Sequence, residues 1–86
     1  MQREKLYERL KNNPRNVDFN ELVTLLEGLG FEKKLGKGGA HISFRHPELQ
    51  LYVHVAKPHP HNKVLPVYVN RIVKAIEKHP QLWERR

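Results

Sequence analysis

The sequence predicts an α+β fold: a three-stranded antiparallel sheet with two helices packed on one face, plus an extra N-terminal helix. Three observations predict it. Residues 19–29 and 69–76 carry apolar side chains at helical spacing. Between them lie three short runs in which apolar and polar residues alternate. These strands are grouped together and not interleaved with helices, which argues against a parallel α/β sheet.

The elements follow in order. Residues 3–11 form a short helix with Leu6, Tyr7 and Leu10 on one side, and Asn12-Asn13-Pro14 ends it. Asp18 is a favourable N-cap, with Glu21 three residues later as in a capping box. Val17 and Leu22 are spaced as a hydrophobic staple across that cap. Phe19, Leu22, Val23, Leu26 and Leu29 make the stripe of the second helix, and Gly28 and Gly30 stop it. The first strand is expected at 31–35, with Phe31, Lys33 and Leu35 on one face. Gly36-Lys37-Gly38-Gly39 is a turn with wide backbone freedom. In residues 40–45, Ala40, Ile42 and Phe44 alternate with His41, Ser43 and Arg45. His46-Pro47-Glu48 turns the chain again, and in 49–55 Leu49, Leu51, Val53 and Val55 alternate with Gln50, Tyr52 and His54. With the apolar set facing the core, His41, Ser43, Arg45, Tyr52 and His54 must share the opposite face. A loop with Pro58 and Pro60 leads to a last helix opened by Pro66 and striped by Val69, Ile72, Val73 and Ile76. His79-Pro80 closes it. Trp83 then packs back onto the domain or against a partner.

A length of 86 residues fits one compact domain, too small to enclose a large cofactor and keep a core, so a surface site and no cofactor are expected. Residues 1–17 read as an N-terminal extension, 18–79 as the main domain and 80–86 as a tail. The chain has no cysteine, which excludes disulfides, thiolate zinc sites and a cysteine nucleophile. No apolar run approaches the roughly 18 residues of a membrane span. The N-terminus leads into an amphipathic stretch and not a signal-peptide apolar region. A cytoplasmic protein with no membrane partner is the expectation.

The net charge of +7 is concentrated. Residues 33–76 hold eight basic side chains (Lys33, Lys34, Lys37, Arg45, Lys57, Lys63, Arg71 and Lys74) against Glu48 alone, and the two ends cancel. Such a field favours polyanions: nucleic acid, an anionic membrane or an acidic protein. A solvated surface is the plainer explanation of the same residues. His54, His59 and His61 raise a metal reading, but two of them alternate with prolines in a loop and no cysteine completes a set, so no metal site is expected. No P-loop, dinucleotide fingerprint or nucleophile elbow occurs.

The segment Gly38-Gly39-Ala40-His41-Ile42-Ser43-Phe44-Arg45-His46-Pro47 resembles the HicA toxin family, whose members show a glycine-rich turn, Gly-Ser-x-His, an alternating strand and often Arg-His-Pro. Leu29-Gly30-Phe31 and the final Val- and Ile-rich helix are similar too, and the likeness runs from about Asp18 to Lys78. Gly39 stands where the family has serine, and Ala40 where it often has histidine. The resemblance implies a double-stranded-RNA-binding-domain-like fold and a ribonuclease that cleaves messenger RNA without a metal. It implies a HicB-type antitoxin as partner, and it places the family's essential histidine at His41.

Metal-free RNA cleavage needs a base at the 2′-hydroxyl, cationic stabilisation of the phosphorane-like transition state and an acid for the leaving 5′ oxygen. An imidazole, titrating near pH 6.5 when unperturbed, suits the base role, and His41 follows a turn with little side-chain bulk to block a phosphate. The expected RNA contacts are Lys34, Lys37, Gly38, Gly39, Ser43, Arg45, His54, Lys57 and Lys63, with backbone N–H groups supplied by the glycines. Arg71 and Lys74 either extend that footprint or are surface charges. The acid is unassigned, with His54 and Tyr52 on the right face. A non-catalytic RNA-binding module, or a basic interaction protein for an acidic partner, remains the alternative.

Overall fold

A computed structural model describes residues 3–35, 41–56 and 62–84. The elements are α1 (Arg3–Asn12), α2 (Phe19–Gly28), β1 (Glu32–Leu35), β2 (His41–His46), β3 (Leu51–Ala56), α3 (Pro66–Lys78) and a short 3₁₀ helix (Pro80–Glu84). The strands form one three-stranded antiparallel sheet, as expected, and their order is β1-β2-β3. The helices pack on one face of it.

Helix α2 is fixed at both ends by its own sequence. At its start, the Asp18 backbone N–H donates to Glu21 Oε1 at 3.1 Å, which satisfies one otherwise orphaned donor. Val17 and Leu22, the two ends of the staple, are fully buried. At its end, Gly30 N–H donates to the Glu27 carbonyl (3.1 Å) and Phe31 N–H to the Leu26 carbonyl (3.0 Å). These are the two bonds of a Schellman motif, and they require Gly30 at φ +100°. Because Phe31 spends its N–H on closing the helix, β1 begins one residue later than the apolar pattern suggests.

Strand β3 likewise starts at Leu51 and not Leu49. The Gln50 N–H bonds back to the His46 carbonyl at 2.9 Å, and Gln50 takes φ 56°, so Leu49 and Gln50 belong to the turn. The register pairs Ile42 with Val55 and Phe44 with Val53. Directly paired residues share a face, so the apolar sets of β2 and β3 meet on the helix side. There Ile42, Phe44 and Val55 join Leu22, Leu25, Leu26, Val69, Ile72 and Ile76 in a single core. Each such burial contributes about 1.5–3 kcal/mol before conformational entropy is subtracted.

The flanking segments are tied to this core. Leu6 and Leu10 of α1 are buried in it. Arg9 grips Glu21 through two nitrogens at 2.7 and 3.2 Å, and Tyr7 Oη donates to Glu77 at 3.3 Å. Loss of solvent around the Tyr7 hydroxyl, reinforced by the Glu77 charge, holds its pKa above the usual phenol value. Leu82 of the 3₁₀ helix is fully buried, and Trp83 meets Tyr7 edge to face at 5.4 Å. The described part of the tail, Pro80–Glu84, therefore packs back onto the domain. No helix of the described residues is long and apolar enough to cross a membrane.

Candidate functional site

The face of the sheet turned away from the helices is built by parity. His41, Ser43 and Arg45 alternate with buried neighbours on β2, and on β3 the exposed Tyr52 and His54 alternate with half-buried Leu51 and Val53 and buried Val55. Register then assembles them. Ser43 pairs with His54, Arg45 with Tyr52 and His41 with Ala56. On the other side, Lys34 pairs with Ser43 and Glu32 with Arg45. His41 is exposed at the start of the central strand.

The Lys33-Lys34 run is split by the pleat. Lys34 joins the His41 face, whereas Lys33 pairs with Phe44 on the helix side, still exposed because β1 is an edge. Lys34 and Arg45 make no ion pair among the described residues. Their charge is therefore available to an anion. Among the described strand residues, the one carboxylate on this face is Glu32, opposite Arg45.

A hydrogen bond ties two of the polar residues together. Ser43 Oγ lies 2.9 Å from His54 Nδ1 across the β2–β3 pair. That contact occupies one ring nitrogen and leaves Nε2 for a ligand. The arrangement can present two imidazoles and two cations to one phosphodiester.

Other expected residues fall elsewhere. Lys63 is held at the entrance to α2, where its ammonium contacts Asp18 Oδ1 (2.8 Å) and Asn16 Oδ1 (2.7 Å) beside the Asp18–Lys63 backbone bridge. Lys37, Gly38, Gly39 and Lys57 lie outside the described residues. Among the described residues no group of three or more His, Cys, Asp or Glu is placed to hold a metal ion. His59 and His61 lie outside them.

Two features escape the sequence reading. His46 is 1% exposed, the one buried polar side chain in the described core. Its Nδ1 accepts the backbone N–H groups of Glu48 (3.3 Å) and Leu49 (3.2 Å), so its ring shapes the β2–β3 turn. Its parity with Ile42 and Phe44 is the signal that would have placed it inside. The second is a groove of about 220 Å³ between β3 and α3, lined in part by Tyr52, His54 and Arg71. No local pattern shows it, because it depends on where α3 lies along the sheet.

Fold and face together define a class: a small α+β protein whose helices back a sheet and whose open face carries an exposed histidine among cationic and hydrogen-bonding side chains. The chain belongs to the HicA toxin family. The family model, HicA toxin of bacterial toxin-antitoxin, matches residues 19–78, from the first residue of α2 to the last of α3. No curated protein and no solved structure gives a match.

Proposed function

We propose that this protein is an endoribonuclease toxin that cleaves messenger RNA without a metal, with His41 as general base. The observation that carries the reading is the exposed imidazole of His41 on the same sheet face as Lys34 and Arg45, in a chain of the HicA family. His41 removes the 2′-hydroxyl proton, the 2′ oxygen attacks phosphorus as the P–O5′ bond breaks and the 5′ oxygen leaves as a hydroxyl, and Lys34 and Arg45 offset the charge that develops. Lys37, Lys57 and the N–H groups of Gly38 and Gly39 extend the phosphate contacts. A HicB-type antitoxin neutralises the protein by covering this face. Residues 18–79 form the RNA-cleaving domain, and residues 1–17 are an N-terminal extension with a short helix.

The test is cleavage of an RNA oligonucleotide in EDTA by wild type and His41→Ala. Wild type is expected to cut and the variant to be at least about 10²-fold slower. The melting temperature should be unchanged, because the side chain lies outside the core. Cutting by the variant at the wild-type rate refutes the base assignment. RNA binding by wild type with no product favours the non-catalytic binding module.

A further inference from the structure

β3 is the edge strand of the sheet, and α3 runs beside it. The groove between them has an apolar floor of Val53, Ile72 and Ala75 and a rim of Tyr52, His54 and Arg71. Its volume of about 220 Å³ is below the about 300–1,000 Å³ of pockets for drug-sized ligands. It therefore has room for one ring system and not for a dinucleotide. The rim is suited to a nucleotide. Tyr52 is 56% exposed and offers an aromatic platform for an unpaired base. The Arg71 guanidinium sits 5.8 Å from the Tyr68 ring centroid and pairs with no carboxylate among the described residues.

His54 lines this groove and also belongs to the His41 face. His41 pairs with Ala56, two residues along β3 from His54, so the two histidines are diagonal neighbours on one face. Such neighbours are about 7–8 Å apart, a span that one phosphate can bridge. The Ser43 bond at Nδ1 orients the His54 ring. When the ring is protonated, Nδ1–H donates to Ser43 Oγ and Nε2–H is free to donate to substrate.

We infer that the β3–α3 groove is a nucleotide subsite for single-stranded RNA, taking the residue on the leaving side of the scissile phosphate, with His54 as the proton donor to that residue's 5′ oxygen. The inference rests on the nuclease reading. As His41 takes the 2′-hydroxyl proton, the 2′ O–P bond forms and the P–O5′ bond breaks. The His54 Nε2 proton passes to the departing oxygen, leaving a 2′,3′-cyclic phosphate and a 5′-hydroxyl. The nucleotide bearing that hydroxyl lies on the groove side of the phosphate, its base on Tyr52 and its next phosphate near Arg71.

The experiment uses an RNA oligonucleotide with one mapped cleavage site. A second version carries sulfur in place of the bridging 5′ oxygen, and a third has an abasic residue just past the cleaved bond. A thiolate leaves without a proton. His54→Ala should therefore slow cleavage of ordinary RNA by about 10²-fold or more, yet cut the sulfur-bridged RNA within a few-fold of wild type. His41→Ala should not be rescued. Wild type should prefer the intact over the abasic substrate by about tenfold, and Tyr52→Ala should lose that preference through KM. Equal impairment of His54→Ala on both leaving groups, full activity of that variant on RNA, or an undiminished base preference in Tyr52→Ala would overturn the proposal. A wild-type protein that cuts none of the substrates defeats the nuclease reading itself, a result distinct from any of these.

Discussion

His46 and Gly30 show how single residues set the backbone around the site. The imidazole of His46 is buried, edge-on to the Phe31 ring at 5.3 Å, and both N–H groups it receives come from the turn between β2 and β3. With Nδ1 accepting, the neutral ring carries its proton on Nε2, and that atom finds no partner among the described residues. It faces Gly30, where an added Cβ would come within 2.9 Å of Nε2. Gly30 also sits at φ +100°, where a side chain is strained whatever the space. Gly30→Ala should therefore destabilise the fold by about 1–3 kcal/mol, read by urea denaturation. Part of that cost is steric and depends on the ring. In a His46→Ala background the same substitution should cost less, so the two changes should be non-additive. Full additivity would show that backbone strain alone governs the position.

Among the elements, those bounded by local chemistry were legible and those bounded by tertiary contacts were not. The capping-box spacing Asp18/Glu21 and the Gly30 stop fixed α2, and alternation placed His41, Ser43, Arg45, Tyr52 and His54 on one face. The end of the β2–β3 turn was hidden, because Gln50 adopts a positive φ that glycine usually marks. How α1 is held was also hidden, since its clamp joins residues 12 positions apart: Arg9 to Glu21. That hydrogen bond to Arg9 is the main reason the Glu21 carboxyl sits below its usual pKa. A carboxyl depressed in the folded state contributes stability above its unfolded pKa, about 4.3 for glutamate, and loses it as pH falls through the folded value. Glu21→Gln should thus melt below wild type at pH 7, and the gap should narrow as the solution is acidified past pH 4. A gap that stays constant into acid would mean that the clamp contributes through packing and not charge.

For the whole molecule, what matters is that one layer carries the core and the opposite surface carries the exposed histidines and uncompensated cations. Among the described residues, the ion pairs Arg9–Glu21, Lys11–Glu77 and Lys63–Asp18 all involve the helices and their entrances. Those pairs engage their carboxylates on the helical side, while Lys34 and Arg45 on the sheet face form no ion pair among the described residues, although the Glu32 carboxylate lies opposite Arg45. The excess charge of residues 33–76 was visible in the sequence, but not which cations were already engaged, and Lys63 is the case that only the structure separates. This asymmetry predicts how RNA binding responds to salt. For single strands, each phosphate neutralised adds about −0.7 to the slope of log K against log salt. Arg45→Gln should make that slope shallower by about 0.7, as should Lys34→Gln, with the affinity of each falling at low salt. Lys63→Gln should leave the slope nearer its wild-type value and instead lower thermal stability, because it frees the Asp18 carboxylate at the start of α2. Filter-binding titrations across a salt series, run in EDTA with His41→Ala to prevent cleavage, measure all three. If Lys63→Gln flattens the slope as much as Arg45→Gln does, the phosphate path extends round to the α2 entrance, and the sheet face is not the whole of the RNA surface.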